Sequence, residues 1–218
     1  MVWSAANDVG ESDASAMAGL PELFPDLGEA WIVANVVQYT GDSDLSNATS
    51  SEFTLKGNKC GSTAEYCLSV DGYDVYAATY LDSGTSQYNN SRISYGSSWS
   101  APMVSGGVAL VAQAFPNHTP EQLVDRILAS ANNVWFTPEG NTTFTTHGNA
   151  VKHGYHSTWG HGIPDFYAAL SPITSDGNPA SMSLYTSSSI QSSEAATLGS
   201  SYITPSGSFG NAISHGLI

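Results

Sequence analysis

The chain has 218 residues, 41% hydrophobic and 11% aromatic, which is enough apolar mass for a buried core and too much for a disordered polypeptide. Five basic residues against 19 acidic ones give a formal net charge of -14, which excludes a surface built to hold nucleic acid or anionic lipid. Such a balance suits a soluble protein working outside the cell.

The N-terminus has no basic start and no apolar run of signal-peptide length, and reads as a chain entered in the middle of a strand. Residues 2–6 are that short strand-like run, ending at Asn7. The loop behind it carries Asp8, Glu11 and Asp13, read as solvated acids rather than a cation site. Residues 31–38, WIVANVVQ, form a near-continuous β-branched run, as in a strand buried on both faces of a parallel sheet. Cys60 and Cys67 stand close together in CGSTAEYC without a nearby His, which favours a short-loop disulfide over a zinc site. The stretch YCLSVDGYDVYAATY reads as a strand pair with a turn at Asp71 and Gly72. No segment is long and apolar enough to cross a membrane as a helix.

Residues 101–115, APMVSGGVALVAQAF, are apolar almost all round and predict a helix buried on every side, with Pro102 harmless in its first turn. Gly106 and Gly107 each cost about 1 kcal/mol in mid-helix, which close approach of a neighbouring backbone would justify. A second helix starts at Thr119, with Pro120 at its first position and Gln122 completing a capping box. Its core stripe is Leu123, Ile127 and Ala131, widened by Val124 and Leu128. After a Thr/Asn/Gly-rich excursion over residues 132–159, GHGIPDFYAAL gives a glycine turn and a short last helix ending before Pro172. From about Ser175 the chain turns Ser/Thr-rich, so the expected organisation is a domain over residues 1–174 and a linker or tail over 175–218. Alternating buried strands and helices indicate an α/β layered domain with a mainly parallel sheet.

The chemistry concentrates in residues 95–107, YGSSWSAPMVSGG. Gly96 permits a tight turn, and Ser98 lies where a helix dipole favours a developing oxyanion. A serine before a helix is by itself most often an N-cap. The run as a whole, however, resembles the active-site serine signature of the subtilisin-like peptidases: Gly-Thr-Ser-x-Ala/Ser-x-Pro, then Val-x-Gly. Here it stands as Gly96, Ser97, Ser98, Trp99, Ser100, Ala101, Pro102, then Val104, Ser105, Gly106, with Ser97 replacing Thr and keeping the hydroxyl. The resemblance implies a three-layer subtilisin-like domain and an endopeptidase that cleaves polypeptides through an acyl-enzyme on Ser98. It also matches Val2 to Asn7 with the family's strand ending in Ala-Gly-Asn, which implies that Asn7 donates to the oxyanion. Ala5 and Ala6 then border the specificity pocket, and Ala6, where the family usually has Gly, adds a methyl that narrows it.

The likeness runs over about residues 1–170 and implies a cis Leu20–Pro21 bond. Three passages, GLPELFPDLGEAWIVANV, the paired cysteines and PSGSFGNAI, are similar to passengers of bacterial autotransporter subtilases. They imply export to the cell surface or beyond, a bonded Cys60 and Cys67, and a membrane barrel downstream. The family's order is Asp, His, Ser, yet none of the six histidines precedes Ser98. The catalytic Asp and His are therefore expected in an upstream segment, and the chain alone is expected to be inactive. No cofactor is implied, and a structural calcium is left unassigned.

Two other readings compete. In an α/β-hydrolase, Ser98 would work with Asp125 or Asp165 and with His153, His156 or His161, but the nucleophile elbow Gly-x-Ser-x-Gly has Ser at position 100. The pair His153 and His156 lacks a third metal ligand and reads as solvated loop histidines. A catalytically dead adhesion domain on the same scaffold would have no need of both Ser98 and Asn7.

Overall fold

The apolar run after Trp31 forms the central strand, β2 (Ile32–Tyr39), whose first six residues are all buried. Strand β1 (Val2–Ser4) pairs with it in parallel at Ile32, Val33 and Ala34. Strand β4 (Cys67–Asp71) pairs with it in parallel from Val33 to Val37, and β3 (Phe53–Leu55) pairs antiparallel with its last residues. Ile32 and Ala34 face a helical layer together with Leu68 and Val70. Val33 faces the other way, into a cluster with Ala5, Trp31, Cys60, Ala64 and Cys67. Burial on both faces is why the run lacks polar alternation. The computed structural model describes residues 1–80, 88–92, 95–146 and 150–171, so the Ser/Thr-rich stretch expected as a tail lies outside the described residues.

Two strand expectations change. Strands β4 and β5 (Tyr76–Tyr80) do not pair with each other: β4 joins β2, while β5 pairs antiparallel with β6 (Tyr88–Arg92). Gly72 serves close packing instead, since a Cβ there would sit 2.6 Å from Ser100 Oγ and 3.0 Å from the Gly96 carbonyl. The excursion over residues 132–159 contains an antiparallel hairpin, β7 (Gly140–Phe144) and β8 (Val151–Tyr155), whose polar alternation gave no strong apolar signal.

The helical layer is α1 (Ser97–Ala114), α2 (Pro120–Ala129) and α3 (Phe166–Leu170). Helix α2 starts at its capping box, with Gln122 N–H donating to Thr119 Oγ1 at 3.2 Å and Thr119 N–H donating to Gln122 Oε1 at 2.9 Å. Val124, Ile127 and Leu128 are buried against α1 and the sheet. Buried Arg126 donates to the Ala169 carbonyl and, at 2.7 Å, to the Ser171 carbonyl, so its guanidinium closes the C-terminal end of α3. It also lies 3.9 Å over the Phe115 ring.

Helix α1 departs from the sequence reading in three ways. It begins at Ser97, so Ser98 is already helical and Pro102 lies in the interior, where the N–H it lacks would have gone to the Ser98 carbonyl. It is not buried all round: Val104, Gly107 and Val111 are buried, while Pro102, Met103, Gly106, Ala109 and Leu110 form an exposed stripe. The two glycines also differ, because a Cβ on Gly107 would lie 1.9 Å from the Phe166 ring and one on Gly106 would meet nothing within 4 Å.

Cys60 and Cys67 are bonded, with Cα atoms 5.9 Å apart, inside the range a disulfide needs. The Leu20–Pro21 bond is trans, not cis as the resemblance implied. Pro21 lies in the first turn of a 3-10 helix (Leu20–Glu22), where its fixed φ and missing N–H fit without isomerisation.

The contrast between the glycines is measurable. In this chain Gly107→Ala should lower stability by about 1–3 kcal/mol through overpacking against Phe166. Gly106→Ala should raise it by about 0.5–1 kcal/mol, because only helix propensity changes. Urea midpoints of both variants check this, and equal effects would contradict it.

Candidate active site

The site forms where β1 ends and α1 begins. Ala5 stays in the sheet frame: its N–H donates to the Ala34 carbonyl at 2.9 Å, and its own carbonyl accepts from Ser15 N–H at 2.7 Å. Its methyl is fully buried in the cluster with Ala18, Trp31 and Cys60. The backbone then swings outward at Ala6, whose φ of 108° is a conformation that favours glycine. This is the residue at which the sequence departs from the family pattern, and its partly exposed methyl sits on a strained backbone. Asn7, next in the chain, is exposed.

At the helix end, Gly96 N–H donates to the Gly72 carbonyl at 3.2 Å, and Gly96 itself offers no side chain to cap α1. Asn7 does so across the chain. Its Oδ1 accepts from Ser97 N–H at 2.7 Å and from Ser97 Oγ–H at 2.9 Å. The buried Ser97 hydroxyl accepts in turn from Ala6 N–H at 3.2 Å. Two donors on one amide oxygen fix which way the amide points. Its Nδ2, with two N–H groups, is thereby turned to the Gly96 side, 3.5 Å from where a Cβ on Gly96 would sit.

Ser98 follows immediately and is exposed. Its backbone N–H belongs to the first turn of α1, whose leading donors have no partner within the helix. The 18-residue helix also places the positive end of its dipole there. Asn7 and Ser98 are thus brought to one place, through a contact that Asn7 makes with Ser97. The role of Ser97 was not read from the sequence, where its only signal was a hydroxyl kept at a position that usually holds Thr.

The residues of the hydrolase alternative are engaged elsewhere. The His153 and His161 Nδ1 atoms face each other at 2.9 Å, and their Nε2 atoms face the Ala131 and Glu65 carbonyls, each at 2.9 Å. Both rings are buried, so His153 is not the solvated loop histidine expected. Burial pushes His161 down to about 3, with His153 adding to the effect, and burial lowers His153 as well. His156 Nδ1 accepts from Thr158 N–H at 3.0 Å, and its Nε2 lies 3.4 Å from Glu139. Asp165 caps α3 through Ala168 N–H at 2.8 Å. Asp125 accepts from Thr146 Oγ1 at 2.7 Å, and burial raises its carboxyl to about 6 despite that bond. No hydrogen bond among the described residues joins Ser98 to any of these groups. Among the described residues, no group of three or more His, Cys, Asp or Glu side chains is placed to hold a metal ion.

The sequence pattern of the Subtilase family matches residues 1–162. An extracellular serine protease of Serratia marcescens is 29% identical over 149 residues, covering 62% of this chain and 13% of that protein. The chain thus spans about one-eighth of the length of that relative. Fervidolysin from Fervidobacterium pennivorans, a keratinolytic enzyme related to subtilisin, matches 78% of this chain and 22% of its own, at 23% identity and a TM-score of 0.47. The prenylagaramide maturation protease PagA matches 77% of this chain and 48% of its own, at 18% identity and a TM-score of 0.48.

Two outcomes follow from the local physics. Ala6→Gly should stabilise the chain by about 1 kcal/mol, because strain relief at φ 108° exceeds the added unfolded-state entropy. A destabilised A6G in urea unfolding would contradict the strain. Asp125 holds, when folded, a proton that the unfolded chain releases near pH 3.8, so its contribution falls as pH rises from about 4 to about 6. Asp125→Asn should therefore raise Tm by about 2–4 °C at pH 7.5 and by nothing at pH 4. A gap independent of pH would show that the carboxyl titrates normally.

Proposed function

Because the chain belongs to the subtilase family, we propose that it carries the nucleophile and the oxyanion donors of a secreted serine endopeptidase. The observation that carries this reading is the doubly anchored Asn7 Oδ1, which leaves Nδ2 without a hydrogen bond among the described residues, close to the exposed Ser98 at the start of α1. Ser98 Oγ attacks the carbonyl carbon of the scissile peptide while a histidine takes its proton. The carbonyl oxygen gains the negative charge, and Asn7 Nδ2–H and Ser98 N–H donate to it. The C–N bond then breaks, the histidine returns the proton to the leaving amine, and water hydrolyses the ester on Ser98. Serine without a base is a weak nucleophile, so the histidine and its aspartate partner are supplied by polypeptide outside this sequence.

The exposed stripe of α1 supports that division of labour. Met103 is 41% and Leu110 56% exposed, with Pro102, Gly106 and Ala109 beside them, on a helix whose other face is core. A contiguous apolar stripe of this kind fits a protein partner better than water. We assign it to the segment bearing the histidine and aspartate. The extracellular relative supports secretion, and the resemblance of three passages to autotransporter passengers supports a membrane barrel downstream in the parent protein. The partly exposed methyl of Ala6, where the family usually has Gly, would narrow a primary pocket bordered by this residue.

The test uses the complete protein. Asn7→Ala should lower kcat by about 10²–10³ with little change in KM, since the hydrogen bond forms mainly in the transition state. Ser98→Ala should abolish both peptide cleavage and fluorophosphonate labelling. Activity retained in Ser98→Ala would overturn the assignment. Cleavage by the 218-residue chain alone, lost on mutating His153, His156 or His161, would favour the hydrolase reading instead. A complete protein with neither cleavage nor labelling would favour an adhesion domain.

A further inference from the structure

We propose that Asn58 is a positioning residue for Asn7, holding the peptide groups on both sides of it; this rests on reading Asn7 as an oxyanion donor. The peptide bond before Asn7 contributes the Ala6 carbonyl, which accepts from Asn58 N–H at 3.3 Å. The peptide bond after it contributes Asp8 N–H, which donates to Asn58 Oδ1 at 2.8 Å. The other end of the same amide, Nδ2, donates to the Asp13 carbonyl at 2.8 Å and so ties down the far side of the loop. Asn58 is 5% exposed, and its side-chain hydrogen bonds all go to this loop.

Asn58 itself stands on rigid ground. Lys56 N–H donates to the Val36 carbonyl in the central strand at 2.9 Å, and Cys60, two residues on, is bonded to Cys67 at the start of β4. Gly57 lets this segment press against the site, because a Cβ there would be 2.4 Å from the Ala6 oxygen and 3.2 Å from Asn7 Cα. Ala6 holds an unfavourable backbone conformation, which persists only where the surroundings over-determine it. Asn58 and Ser97 provide that from opposite sides: Asn58 fixes the backbone of Asn7, and Ser97 fixes its amide oxygen. Oxyanion stabilisation depends on donors held in place before charge develops, and a displacement of about 1 Å can cost about 10²-fold.

The test is a double-mutant cycle in the complete protein. Asn58→Ala should lower kcat by about 10-fold or more while KM stays within about two-fold. In an Asn7→Ala background the same change should lower kcat no further, because the residue it positions is gone. Thermal unfolding of each variant establishes that it is folded at the assay temperature. Should Asn58→Ala not be, Asn58→Ser, whose shorter side chain withdraws the acceptor from Asp8 N–H, is read by the same two criteria. An unchanged kcat in a folded Asn58 variant, or a loss that persists undiminished without Asn7, would overturn the proposal. No kcat loss in Asn7→Ala itself would strike the oxyanion reading instead, so the two failures are distinguishable.

Discussion

The hydrogen bonds from Ser97 to Asn7 Oδ1 join the end of a parallel strand to the start of a helix 90 residues later. A helix start is ordinarily capped by the side chain just before it, which takes the N–H of the second or third residue. Here the N-cap is Gly96, which has no side chain to give. The cap comes from Asn7 and takes the N–H of Ser97, the first helical residue. A serine at position 96 would have offered its oxygen to the donors that the next residues present, among them the N–H of Ser98. Capping from across the fold therefore satisfies one orphan donor, the Ser97 N–H, while leaving the Ser98 N–H unclaimed by the cap. The same bond turns the amide nitrogen of Asn7 outward.

That arrangement makes demands on the frame around it. Ala6 must leave the sheet at a positive φ, and Gly57 and Gly72 must let two other segments approach within contact of Ala6 and Gly96. Each of these segments is anchored in the sheet or close to it: residue 56 to β2, Cys60 to Cys67, and Gly72 beyond the end of β4. Gly160, whose positive φ of 57° brings it against the Cys67 carbonyl, fastens the loop over residues 157–162 to the same disulfide. The Asn35 side chain, buried in the central strand, donates to the Thr158 carbonyl at 3.0 Å and closes that circle. Strain at one exposed turn is thus supported by buried contacts on three sides.

Much of this was legible in the sequence. The β-branched run, the capping box at Thr119 and the short disulfide each carry a local chemical signature, and each forms where that signature stands. The serine motif located the helix start to within a few residues, although α1 begins at Ser97 and not at Ala101. What could not be read was contact between distant segments. Nothing local marks Asn58 as the residue bracketing Asn7, because an asparagine in a Gly/Lys/Cys loop is ordinary. The hairpin β7–β8 was hidden by threonines and asparagines that suit loops as well as edge strands. Asp71 and Gly72 resemble a hairpin turn, yet the strands flanking them belong to different sheets, since pairing depends on partners that a turn signal does not name.

Helix α1 carries the clearest lesson about apolar periodicity. Its sequence is apolar on every face, and such a helix is suited to burial on every face. This chain covers the side bearing Val104, Gly107 and Val111, with Phe166 seated on Gly107. The side bearing Met103, Gly106 and Leu110 stays in solvent, although it contains the same kinds of residue. Gly106 has no packing reason among the described residues, whereas Gly107 has an evident one. A glycine that weakens a helix without easing any contact is accounted for if a partner's backbone passes there. The surplus of apolar character in the sequence and the open stripe in the structure both fit the proposed assignment, in which a polypeptide packs on α1 and brings a histidine to Ser98.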